Sequence, residues 1–214
     1  MTIQYSDLAM TLAQGAMVTL QITAGAALLA IAAACIAGLA RNSDRCWLRW
    51  PAAVYVELFR GTSALVQLFW IYFVLPHFGI DIGAIAAAIV ALGLNAGAYG
   101  AEIVRGAIRT VPPGQRDAAV ALNLSTRRTL FRIVWPQAVP AMLPPAGNLA
   151  IELLKNSALA SLIAVTELTF AAQLARSATL QTAPIFAVTL LIYFVLALCI
   201  TAGVRLLERR FGAV

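Results

Sequence analysis

No charged residue occurs between Leu8 and Ala40, and that run decides what kind of chain this is. An α-helix rises 1.5 Å per residue, so about 20 apolar residues cross the hydrocarbon of a bilayer. The remaining sequence has the same character. Of 214 residues, 62% are hydrophobic and 11% charged, where a soluble domain carries roughly a quarter charged. Disorder, a collagen-like fibre and nucleic-acid binding by composition are excluded. A secretory signal places positive charge ahead of a short apolar core, but the first basic residue is Arg41; the first segment is therefore expected to stay as a span. Cys35, Cys46 and Cys199 form no even set and no CxxC spacing, so they predict neither a disulfide framework nor a metal site.

Apolar runs predict five spans, near 16–40, 52–75, 82–101, 149–174 and 184–204, within a single membrane domain covering 1–214. Pro51 and Pro76 bound the second. The loops alternate in basic content. Arg41, Arg45 and Arg49 follow span one, six arginines (Arg105, Arg109, Arg116, Arg127, Arg128, Arg132) follow span three, and Arg205, Arg209 and Arg210 follow span five. The opposite connections hold His77 and Asp81, or Arg176. Positive-inside bias then puts the N-terminus outside and the C-terminus in the cytoplasm, as an odd number of spans requires.

The connection over 102–148 is too long to lack structure of its own. Residues 111–114 (Val-Pro-Pro-Gly) break the preceding helix, and 115–122 contain helix formers without a breaker. Asn123 suits the left-handed turn that ends a helix, Ser125 suits the cap of the next, and Pro136 is expected to stop that one. Ala118, Ala119 and Leu122 form a small apolar knob flanked by Arg116, Arg127 and Arg128. Such a knob fits a cleft in another protein, or lies on an anionic inner leaflet.

Charged and polar residues within the spans are the candidate site. Glu57 with Arg60, Glu102 with Arg105, and Glu152 with Lys155 share a spacing of three, which places each pair on one helical face near the inner end. They read as neutralised structural pairs or as an inner gate. Gln67, Asn95, Ser157 and Ser161 fall at middle or inner depth, and Glu167 lies toward the outer end without a base nearby. These are substrate-pathway candidates, with interhelical hydrogen bonding as the other reading. Gly93 and Gly97 form a GxxxG, read as a helix contact. His77 is expected in a solvated outer turn.

The sequence Asp-Ala-Ala-Val-Ala-Leu-Asn-Leu-Ser (117–125), with Ile-Val-Trp-Pro-Gln-Ala (133–138), resembles the EAA loop of ATP-binding-cassette (ABC) importer permeases of the amino-acid uptake branch. So do Glu-Leu-Phe-Arg-Gly-Thr (57–62), Leu-Val-Gln-Leu-Phe-Trp-Ile-Tyr-Phe (65–73), the stretch 95–108, Val-Pro-Pro-Gly-Gln (111–115) and Leu-Leu-Lys-Asn-Ser-Ala-Leu (153–159). The resemblance runs from about Met17 to the C-terminus. Asp117 stands where the family has glutamate, and Asn123 where it commonly has glycine.

The resemblance implies an all-α membrane protein of the type I importer kind, in a bacterial inner membrane, with a cytoplasmic coupling loop over about 105–140 between helices three and four. Asp117, Ala118, Ala119, Leu122, Asn123, Ser125 and Pro136 would be its coupling elements. It further implies a second permease chain, identical or homologous, two ATPase subunits and an external solute-binding protein. No catalytic residue is assigned. The only lysine, Lys155, follows Leu154 within a span, so no phosphate-binding Gly-Lys loop exists. ATP and magnesium are expected on the partner ATPase, with no cofactor on this chain.

The reading is a permease subunit for a polar amino acid or a similar zwitterion, with ectoine- and opine-like solutes left open. A proton-coupled secondary carrier is the alternative, although five spans show no convincing repeat. A membrane enzyme would need a nucleophile and base or a metal cluster, and the single His lies outside the spans.

Overall fold

The computed structural model describes residues 5–211, and the side-chain surroundings of 8–211 except at Arg116, whose expected flanking role lies outside the described residues. The described residues are nearly all helical and include no strand. The order is α1 (Tyr5–Arg41), α2 (Cys46–Gly61), α3 (Ala64–Phe69), α4 (Ala84–Thr110), α5 (Pro113–Ala121), α6 (Thr126–Thr129), α7 (Trp135–Asn156), α8 (Leu168–Thr179) and α9 (Thr182–Phe211). A π turn and a 3-10 turn extend α3 through Phe78, a π turn joins α6 to α7, and a 3-10 segment extends α7 through Ile163. Three helices are long and apolar enough to cross a membrane alone: α1 over Leu8–Arg41, α4 and α9. Two further helix pairs are broken, with bends of 106° after α2 and 53° before α8; counting each as one span gives up to five.

Prolines do less to the helices than the sequence suggests. Pro51 lies inside α2 rather than ahead of it. The stop expected at Pro136 is absent: a π turn over Leu130–Val134 precedes it, with the Trp135 N–H donating to the Leu130 carbonyl five residues back. The widened turn accommodates the ring that a regular helix would press against the carbonyl four residues earlier. Helix then continues through Pro140, Pro144 and Pro145. Because α4 also runs on to Thr110, the non-helical part of the long connection shrinks to 111–112 and 122–125.

The centre of the bundle is the contact between α1 and α4. Ile22, Ala26 and Ala30 meet Ala87, Ala88, Ala91, Leu92 and Ala96, all buried. Lipid tails are as apolar as these side chains, so association depends on how closely the helices approach. Gly93 and Gly97 set that approach. A Cβ on Gly93 would lie 3.0 Å from the Ala26 carbonyl oxygen, and one on Gly97 would lie 2.7 Å from the Ala33 Cβ and 2.9 Å from the Tyr55 hydroxyl. The GxxxG is a helix contact. Around this spine α8 packs on α1 and α9 through Leu12, Leu168, Ala171 and Ile185, while Val134 and Ala138 hold the α6–α7 arm to Val104 and Ile108 of α4. Helix α9 turns Leu190, Leu191, Phe194 and Leu198 outward, the surface expected against lipid.

Replacing Gly97 with Val should destabilise the purified protein by about 1–3 kcal/mol, since overpacking a close contact shifts backbone. Gly106→Ala, at a position with nothing within 4 Å of an added Cβ, should leave stability equal or slightly raised by helix propensity. Thermal unfolding in detergent, followed by thiol or tryptophan fluorescence, reads both.

Candidate functional site

Helix α2 ends at the tripeptide Gly61-Thr62-Ser63, where Thr62 turns extended. Within a membrane the freed carbonyls of that last turn need partners, since no water reaches the hydrocarbon. Three side chains provide them. The Thr62 hydroxyl donates to the Leu58 carbonyl (2.8 Å), and the Gln67 amide donates to the Phe59 carbonyl (2.9 Å) and to Thr62 Oγ1 (2.7 Å). Asn95, buried on α4, donates to the same Phe59 carbonyl (3.0 Å) and to Gln67 Oε1 (3.0 Å). Gln67 and Asn95 are thus brought together from two helices, with their hydrogen-bonding groups engaged by a helix break.

The second break is closed in the same manner. A 3-10 segment, Ser157–Ile163, runs into Ala164 at φ 59°, a left-handed conformation seldom taken by alanine. Ser157 and Ser161 are buried and donate to Leu154 and Ala158 carbonyls, both at 2.7 Å. Glu167 caps α8: one carboxylate oxygen accepts the Phe170 N–H (2.9 Å), and the other accepts the hydroxyls of Tyr193 (2.8 Å) and Thr19 (3.3 Å). Thr19 Oγ1 in turn accepts the Leu168 N–H (3.1 Å). Glu167 is 0% exposed, so its carboxylate joins α1, α8 and α9 and presents no free oxygen to a cavity.

The three expected charge pairs fare differently. Glu102 and Arg105 pair at 2.6 Å. Glu57 turns instead to Arg41 (3.5 Å), which also bonds Glu102 at 2.5 Å. Arg41 lies at the end of α1, where parallel α4 brings Glu102 and α2 brings Glu57, and the Arg41 side chain is only 14% exposed. Arg60, left without Glu57, lies over the Tyr99 ring with the guanidinium carbon 5.3 Å from its centre. Glu152 and Lys155 are exposed and form no ion pair among the described residues. Spacing of three permits a contact but does not compel one when a neighbouring helix offers a better partner.

The connection between α4 and α7 makes an elbow. Asn123 adopts φ 52°, and the Leu124 N–H reaches back to the Ala119 carbonyl (3.0 Å), closing α5 with a left-handed cap. Ser125 stands at the cap position of α6, but its side chain makes no capping bond. The knob is divided. Ala119 is 0% exposed, whereas Asp117 and Ala118 are exposed and Val120 and Leu122 are 75% and 72% exposed. Pro136 is exposed at the start of α7.

Sequence reasoning missed Arg41, counted only as a loop charge, together with Thr19, Tyr193, Tyr99 and Val120. Arg41 was findable: it is the first base beyond the charge-free run and falls at the depth assigned to Glu57 and Glu102. Nothing in the sequence signals the Thr19–Glu167–Tyr193 meeting, whose members are 148 and 26 residues apart.

A family model described as "binding-protein-dependent transport system inner membrane component" matches residues 26–213. A probable amino-acid ABC transporter permease protein of Sinorhizobium fredii is 41% identical, covering 97% of this chain and 90% of its own. The glutamine transport system permease protein of Escherichia coli is 36% identical, over 93% and 92% of the two chains. Among solved structures, a chain of an amino acid ABC transporter crystallised with histidines superposes with a TM-score of 0.86 at 34% identity, covering 98% of this chain and all (100%) of that one. An inward-facing MetNI methionine ABC transporter shares the fold, at a TM-score of 0.81 and 21% identity.

The Arg41 cluster should behave as a unit. Arg41→Met and Glu102→Gln, alone and together, should give a double-mutant coupling of about 1–3 kcal/mol in thermal or denaturant unfolding, because each single change strands a partly enclosed charge. Strict additivity would remove Arg41 from the set of structural ties.

Proposed function

This chain belongs to the family of binding-protein-dependent transport system inner membrane components, and from that premise we propose that it is the permease subunit of an ATP-driven importer of a polar amino acid. It is a multi-pass protein of the inner membrane. Its work is passage rather than catalysis, and its partners are an ATPase and a solute-binding protein. In the finer reading each bent helix pair is one span. Five spans then put the N-terminus outside, the arginine-rich elbow in the cytoplasm, and two such permease chains above two ATPases that hold ATP and magnesium. Glutamine and cystine, the solutes named for relatives in Escherichia coli and Bacillus subtilis, define the solute class.

The observation that carries this reading is the outer face of α5. Asp117, Ala118, Val120 and Leu122 are exposed on one face of a short, capped helix whose other side packs inward at Ala119. An apolar ridge beside a carboxylate, on an elbow held firmly to α4 by Val134 and Ala138, suits a groove on the ATPase. Nucleotide binding then moves the elbow, and α4 and α7 carry the motion to the pathway. ATP shifts the equilibrium only through differential affinity for the two permease states, so the elbow must be rigid and its docking face intact. Asn123 contributes the rigidity and Leu122 the contact. Ala119 sits on the inner side of α5 and supports the elbow's own packing.

Leu122→Asp should therefore reduce solute uptake by the reconstituted complex at least about tenfold, the loss typical of a buried apolar anchor at an interface. ATP hydrolysis should persist but lose its response to the loaded binding protein. Proteoliposomes assayed for both activities give the answer; full transport by the variant would remove α5 as the coupling element. Asn123→Val, which cannot hold a positive φ cheaply, should lower coupling and stability together, by about 1–2 kcal/mol.

A further inference from the structure

The exposed side of α9 ends in a feature that the packing of the bundle does not use. Leu190, Phe194 and Leu198, each more than half exposed, form a stripe at a spacing of four. A turn of about 100° per residue brings Arg205 and Arg209 onto that same stripe. Residues 182–204 carry no charge and extend about 34 Å, close to the thickness of the hydrocarbon. The two arginines therefore stand where the apolar face of the helix leaves the acyl chains, at the level of the headgroups.

Nothing in the described chain neutralises them. Arg205, Arg209 and Arg210 are exposed, and among the described residues none has an ion-pair or hydrogen-bond partner. Glu208, half-buried, pairs with none of them. Helix α7 packs along α9 with Gly147 against Val204, and it carries no acid before Glu152, which lies on the far side of that contact from the arginines. Like charges four apart on a helix repel. A helix dipole favours cations in the last turn, which accounts for Arg209 and Arg210, but Arg205 lies ahead of that turn. Leu206 and Phe211 are exposed beside the arginines, a mixture suited to the boundary between headgroup and acyl chain.

We infer that the inner end of α9 is a binding site for an anionic phospholipid, whose phosphate is held between Arg205 and Arg209 while its acyl chains lie along Leu198 and Phe194. Residues four apart on a helix are neighbours, about 6 Å between Cβ atoms, so two guanidinium groups can share one phosphate. In the five-span topology this end faces the cytoplasm, where the leaflet surface is negative and attracts bases beside a span. The site has a mechanical consequence. A Cβ on Gly147 would lie 2.7 Å from Val204 Cγ1, so a lipid that fixes the end of α9 also braces α7, the helix into which the elbow runs.

Native mass spectrometry of the full-length chain, together with the subunits that purify with it, reads bound lipid and the number of chains at once. The probes are phosphatidylglycerol and phosphatidylcholine with identical acyl chains. Wild type should hold phosphatidylglycerol at least about tenfold more tightly than phosphatidylcholine, and Arg205→Gln with Arg209→Gln should abolish that preference without changing the affinity for phosphatidylcholine. The corresponding pair of lysine substitutions should keep most of it. Arg45→Gln with Arg49→Gln, which removes the same charge at the start of α2, should leave it intact. Phosphatidylglycerol should also raise the thermal midpoint of wild type and not that of the Arg205/Arg209 glutamine variant. Equal affinity of wild type for the two lipids overturns the site, as does an undiminished preference or an equal thermal shift in the glutamine variant. Equal losses from the α2 and α9 pairs overturn it as well, since they report a general basic surface. Fewer copies of the chain per particle in the glutamine variant would give the face to a second copy, and a preference seen only after accompanying subunits are stripped away would give it to those subunits; either result replaces the lipid.

Discussion

A helix broken inside a membrane exposes backbone carbonyls and N–H groups to a solvent that cannot bond them, and this constraint organises the whole chain. Two of its helix pairs are broken, and each break is closed by side chains from a helix that is not. Asn95 of α4 reaches the Phe59 carbonyl at the first; Thr19 of α1 reaches the Leu168 N–H at the second. The unbroken pair α1–α4, brought close at Gly93 and Gly97, is therefore the frame on which the bent pairs are hung.

The frame also divides polar residues by task. Those bonded between helices hold the fold: the Gln67–Asn95 stitch, the Glu167 cap, the Arg41 tie among α1, α2 and α4. Others have no such tie: Arg60 lies over the Tyr99 ring, and Glu152 and Lys155 are exposed. At the other end of α4 the elbow repeats the division. Ala119 packs inward, and Ala118, Val120 and Leu122 remain uncovered.

Much of this was legible in the sequence. Long apolar runs and alternating basic loops indicated an all-helical membrane chain, the left-handed turn at Asn123 followed from side-chain chemistry, and the GxxxG marked a helix contact. What failed has common physical causes. Pro136 did not stop its helix, since a π turn widens the backbone ahead of it. The Glu57–Arg60 pair did not form, because spacing on one helix says nothing of the competitors on the next, and the Glu152–Lys155 pair did not form between two exposed side chains. Arg41 outcompeted Arg60, and Tyr99 held Arg60 elsewhere. Ser125 took the cap position without the bond. The partners of Glu167 come from distant helices, and no local pattern announces them.

If a docked elbow drives a passive bundle, energy must come from nucleotide on another polypeptide and from nothing else. Uptake of a labelled amino acid into proteoliposomes, with loaded binding protein outside, ATP inside and the proton gradient collapsed, measures that directly. The account predicts accumulation against the gradient that stops when ATP or the ATPase is omitted. Uphill transport by the permease chain alone, driven by an imposed proton gradient, would contradict it.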